Sequence, residues 1–172
     1  YTVTVSTTKG TPDPITVKDA LEDKSGSITY KAPTLVSVEK TVNGTTTDVT
    51  KNPKTKFKVT GTDEAKTNGK AFEMELDALP KSSDGTTPNS YTIVYEYDLK
   101  NPPKNGESDV WQKNTVTASA TDTKTKETVK KSAEAKLHIA RKVIDKTGSY
   151  DGKTQKIHWT ITLNEQNILN VT

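Results

Sequence analysis

Along most of this chain, apolar and polar residues alternate one by one in short runs, and that period of two is what most constrains its fold. Tyr1, Val3 and Val5 share one face of such a run, with Thr2 and Thr4 on the other. Phe72, Met74 and Leu76 alternate against Glu73 and Glu75, and Tyr91, Ile93, Tyr95 and Tyr97 line one side of a longer run. Successive side chains of a strand point to opposite faces, so each run reads as a half-buried strand. Ile15 to Leu21, Ser27 to Tyr30, Thr34 to Val42, Phe57 with Val59, Asn114 to Ala120, and Leu137 with Ile139 supply further strands. Turn residues separate them at Gly10 to Pro14, Pro33, Asn43-Gly44, Gly61 and the loop from Asn101 to Ser108. Residues 123–135 are rich in Lys, Glu and Ala but carry no apolar stripe at helical spacing. They read as a polar hairpin connecting two edge strands. The expectation is an all-β, antiparallel sandwich.

Composition narrows the class. Apolar residues are only 30% of 172, yet the net charge is only +3 with both signs interspersed, unlike a chain held open by self-repulsion. Thr is heavily used beside apolar residues, which suits half-buried strands and not helices. There is no Cys, which excludes disulfides, thiolate metal sites and a cysteine nucleophile. No run of about eighteen apolar residues exists to span a membrane, and no signal peptide is visible. Arg141 is the single arginine, so nucleic-acid binding is not expected. No nucleophile turn, phosphate-cradling glycine loop or EF-hand spacing is present, although Asp48, Asp63 and Asp84 sit in loops. His138 and His158 fall on the outward parity of their strands and read as surface residues. No cofactor and no metal is expected.

Trp159-Thr160-Ile161-Thr162-Leu163-Asn164 repeats the pattern of Tyr1-Thr2-Val3-Thr4-Val5-Ser6. Such an echo suggests tandem domains. Residues 1–140 then form one domain lacking its first strand. Residues 141–172 are the first strands of the next repeat, or a segment that completes the first domain.

Lys146-Thr147-Gly148-Ser149-Tyr150-Asp151-Gly152, followed by Ile157 to Asn164, resembles the opening of collagen-binding-adhesin-type domains of Gram-positive adhesins and pilins. Tyr1 to Leu21, ending in Val17-Lys18-Asp19-Ala20-Leu21, is similar to the next part of that pattern. Lys113-Asn114-Thr115-Val116-Thr117-Ala118 is similar to the late strand that carries an Asn. The resemblance implies an immunoglobulin-like sandwich in which a Lys amine attacks an Asn carboxamide, forms an intramolecular isopeptide bond and releases ammonia. It also implies that an acid shuttles the proton, and that the protein is an extracellular, cell-wall-attached structural domain. By the resemblance the acid is Asp19 and the joined residues are Asn114 and Lys146, with Lys142 as the alternative amine.

Alternation supports part of this independently. Asp19 lies on the Ile15/Val17/Leu21 face and Asn114 on the Val116/Ala118/Ala120 face, both apolar. An inward polar group is costly unless paired. A buried amine loses its charge more readily and a buried acid keeps its proton, as the chemistry requires. By family order, however, the Lys precedes the Asp, so Lys146 belongs to the next domain unless a strand is donated back or between copies. The expected role is a structural stalk or adhesin domain, with no turnover chemistry, adjoining further domains of the same protein. The alternative is a module binding a host-surface or matrix protein or a glycan, with Trp111 as the exposed aromatic candidate. Trp159 is expected in the core with Ile157, Ile161 and Leu163.

Overall fold

A computed structural model describes residues 1–23, 29–60, 71–101, 110–139 and 144–163. Among them the strands in chain order are β1 (Thr2–Thr7), β2 (Ile15–Asp23), β3 (Thr29–Tyr30), β4 (Thr34–Val42), β5 (Thr45–Asp48), β6 (Lys56–Thr60) and β7 (Ala71–Leu76). β8 (Asn89–Glu96), β9 (Leu99–Asn101), β10 (Val110–Thr121), β11 (Thr128–Ile139), β12 (Ile144–Asp151) and β13 (Lys156–Leu163) follow. No helix occurs among the described residues, and so none that is long and apolar enough to cross a membrane. The chain divides into two compact units: Tyr1–Pro102 with Trp111–Leu137, and Pro103–Val110 with His138–Thr172.

The first unit is an antiparallel β-sandwich, as the alternation predicts. One sheet has the order β1-β8-β4-β5 and the other β11-β10-β2-β7-β6, with a small β3-β9 pair beside them. The inward residues of the alternating runs form the core. Val17, Phe72 and Met74 from the second sheet pack with Val38, Tyr91, Ile93 and Tyr95 from the first, all at 2% exposure or less. Each large apolar side chain so buried contributes about 1.5–3 kcal/mol before entropy is subtracted. Asn43 and Gly44 take positive φ angles of 49° and 81°, the backbone of the tight turn that joins β4 to β5.

Residues 123–135 depart from expectation. Only Asp122 to Glu127 form the connection; from Thr128 onward the chain is β11, the edge strand beside β10. Its Lys and Glu residues leave it without a strong apolar alternation. An edge strand with charged side chains is stable because one side faces water. Ser27, Asp63 and most of the Asn101 to Ser108 loop lie outside the described residues.

The second unit contains the two-stranded β12–β13 sheet, with Lys146 opposite Ile161, Gly148 opposite Trp159 and Tyr150 opposite Ile157. Trp159 corrects the sequence reading: it is 61% exposed, as are Ile157 and Ile161 to a similar degree. These residues do share one face with each other. Among the described residues of its unit, no second layer covers that face. Trp159 instead lies across Gly148, where an added Cβ would come within 2.5 Å of the ring, and under the Lys146 ammonium at 4.3 Å.

Candidate functional site

β2 and β10 are neighbours in one sheet, with Val116 opposite Asp19 and Asn114 opposite Leu21. Asp19 and Asn114 are therefore diagonal neighbours on one face, and alternation turns both inward. The two side chains meet: the Asn114 Nδ2 donates to Asp19 Oδ2 at 3.3 Å. Both are buried, at 2% and 3% exposure. Tyr95 of β8 in the facing sheet and Tyr97, just past its end, supply two phenols. Tyr95 donates to Asp19 Oδ1 and Tyr97 to Oδ2, each at 2.7 Å.

Two influences oppose each other at Asp19. Burial raises its carboxyl above the ordinary value, and the hydrogen bonds from Tyr95, Tyr97 and Asn114 draw it back down. Burial wins, so Asp19 holds its proton to higher pH than a solvated carboxyl does. The phenols of Tyr95 and Tyr97 are pushed far up by burial and by Asp19, which keeps them neutral donors. Tyr1 is raised as well, first by burial and then by the charge of Asp19, with Asn114 opposing. Its ring stacks on Tyr95 at 5.6 Å and meets Tyr97 edge-on at 6.2 Å.

Next to this cluster lies an open groove of about 630 Å³, walled by the inward residues Tyr1, Val3 and Val5 of β1 and by Asn114, Val116 and Ala118 of β10. β1 is the edge of its sheet, and β11 overhangs from the other, leaving Val129 63% exposed. Asn114 thus sits at the rim of a cleft, not in a sealed core.

Lys146 belongs to the second unit, where it is exposed over Trp159. Lys142 and the side chain of Trp111 lie outside the described residues, as does that of His138; His158 is exposed. Sequence reasoning missed Tyr95 and Tyr97 as partners of Asp19. Tyr91 and Tyr95 are core residues at 2% and 1% exposure. The signal was available, because a buried phenol needs an acceptor and an inward carboxyl needs donors. Gln112 was missed too: it is 1% exposed, one inward position before Asn114, and its Nε2 has no partner among the described residues.

Comparison with protein-family models, with curated proteins and with solved structures finds no match to this chain.

Proposed function

We propose that the first unit is an immunoglobulin-like structural domain of a bacterial surface adhesin, stapled by an isopeptide bond between Asn114 and a lysine amine. The observation that supports this reading is the buried contact between the Asp19 carboxyl and the Asn114 carboxamide. A carboxyl placed in a core for stability alone would be costly. Here it faces the nitrogen that must leave.

The chemistry balances with these groups. The uncharged Nζ of the lysine attacks Asn114 Cγ, and a C–N bond forms. Asp19, in its protonated form, gives its proton to Nδ2 and takes one from Nζ; the Cγ–Nδ2 bond breaks, ammonia departs and the carboxyl is restored. An amine entering this apolar cleft is shifted toward its uncharged form. Tyr95 and Tyr97 hold the Asp19 carboxyl in place throughout. The reaction occurs once per domain, so Asp19 acts in maturation and not in turnover. Lys146 is the amine proposed from this chain. An extracellular site, attached to the cell wall, is part of the same proposal.

Intact mass under denaturing conditions tests the reading. Each bond is expected to remove one molecule of ammonia, and both Asn114→Ala and Asp19→Ala are expected to abolish the loss. A wild-type protein with unshifted mass in every species, monomeric or associated, contradicts it.

A further inference from the structure

β10 places two carboxamides on one inward face. Gln112 stands opposite Asp23 of β2 and Asn114 opposite Leu21, and residues two apart in a strand point to the same side. They are 1% and 3% exposed. Their pairing differs. The Asn114 Nδ2 donates to Asp19 Oδ2. The Gln112 Nε2 is sealed from solvent, with no hydrogen-bond partner among the described residues. A buried donor without an acceptor lowers stability, and an apolar side chain of the same shape would avoid that cost. A group at such a position calls for a reason, and a catalytic role is one.

The Asn114 carboxamide supplies the missing acceptor once it reacts. Its nitrogen end faces Asp19, and the protons of both phenols are committed to the Asp19 oxygens. Those groups serve the departing nitrogen and leave Oδ1 without a donor. When an amine attacks Cγ, the C=O electron pair moves onto Oδ1, and a charged oxygen in a core needs a hydrogen bond. The immediate neighbours of Asn114 along β10 and directly across on β2 are Gln112, Val116 and Leu21. Only Gln112 has a side-chain donor. Alternate residues of a strand are roughly 6.5 Å apart. The longer Gln side chain, leaning along the strand, spans that interval toward the shorter Asn.

We infer that Gln112 is the oxyanion donor of the staple reaction, its Nε2–H swinging onto Asn114 Oδ1 as the amine attacks. The inference rests on the chemistry proposed above and adds one group to it. No proton leaves Gln112. The electron pair returns from Oδ1 as the Cγ–Nδ2 bond breaks, and ammonia departs with the proton given by Asp19. The new amide C=O then keeps the Gln112 hydrogen bond. That bond is absent before reaction, so its strength goes to the transition state and the product and not to the starting carboxamide.

Gln112→Met tests the inference, because Met keeps the unbranched length of the side chain and removes the donor. Ammonia loss is followed by intact mass under denaturing conditions, in full-length chain sampled from the moment of cell-free synthesis. Stability is read separately by urea unfolding in the Asn114→Ala background, where no staple forms. Wild type is expected to lose one ammonia, and Gln112→Met to lose it roughly 100-fold more slowly. In the Asn114→Ala background, Gln112→Met is expected to be as stable as its parent or more so. A structural residue would instead slow the reaction by loosening the fold. Ammonia loss at the wild-type rate in Gln112→Met overturns the role of Gln112 and leaves the staple standing. A Gln112→Met chain that is less stable than its parent, or that fails to fold, shows a structural residue and also overturns it. A wild type that never loses ammonia sinks the staple, and the role of Gln112 with it.

Discussion

Tyr95→Phe isolates the hydrogen bonding of the buried carboxyl from the packing around it. The Tyr95 ring stacks on Tyr1 and meets Phe72 edge-on at 4.8 Å, and Phe keeps both contacts. Only the hydroxyl that donates to Asp19 Oδ1 at 2.7 Å is lost. That bond favours the charged form of Asp19, so its loss costs about 1.5–3 kcal/mol where the acid is ionised, against about 1 kcal/mol where it is protonated. The sign of the pH dependence follows from linkage. Folded Asp19 has a raised pKa, so its contribution to stability is fully present below the unfolded carboxylate range and declines as pH rises through the folded value. Removing a hydrogen bond that lowers that value raises it further, which deepens the decline. Urea unfolding of both proteins at pH 3 and pH 7 reads this directly. The penalty is expected to be larger at pH 7, where it corresponds to a melting shift of roughly 5–10 °C for a unit of this size. An equal penalty at the two pH values, or none at pH 7, refutes the balance of burial and hydrogen bonding described for Asp19.

Three further substitutions probe the scaffold. Asn89 is fully buried, accepts from the Asn43 N–H at 2.7 Å and donates to the Pro80 C=O at 2.9 Å; Asn89→Ala is expected to cost about 2–4 kcal/mol in chemical denaturation. Gly10 has φ +84°, and a Cβ there would stand 3.0 Å from the Lys81 nitrogen, so Gly10→Ala is expected to lower stability by about 1–3 kcal/mol. Gly148→Ala is expected to displace Trp159 and shift its fluorescence. The unfolding of the first unit is expected to stay unchanged.

The strands were legible wherever one face is buried. Phe72, Met74 and Leu76 against Glu73 and Glu75 fixed both the strand and its orientation, and the same parity brought Asp19 and Asn114 to one inward face. Edge strands were less legible: β11 is exposed along most of its length, so its composition answers to water more than to the core. Trp159 shows the converse limit. Its parity placed it correctly on an apolar face, but parity does not say whether a second layer covers that face. The phenols at Asp19 come from the end of β8 in the opposite sheet and the residue just beyond it, more than seventy residues away in sequence. Alternation orders the faces of one strand and carries no information on which strands meet across the core.

The protonation of Asp19 underlies the proposed chemistry, and carbon-detected NMR titration of its side-chain carboxyl measures it directly. The account predicts a midpoint above that of an ordinary aspartate, moving higher still in Tyr95→Phe. A midpoint at or below the ordinary value would mean that the hydrogen bonds outweigh burial, leaving a fixed carboxylate with no proton to pass to a departing nitrogen.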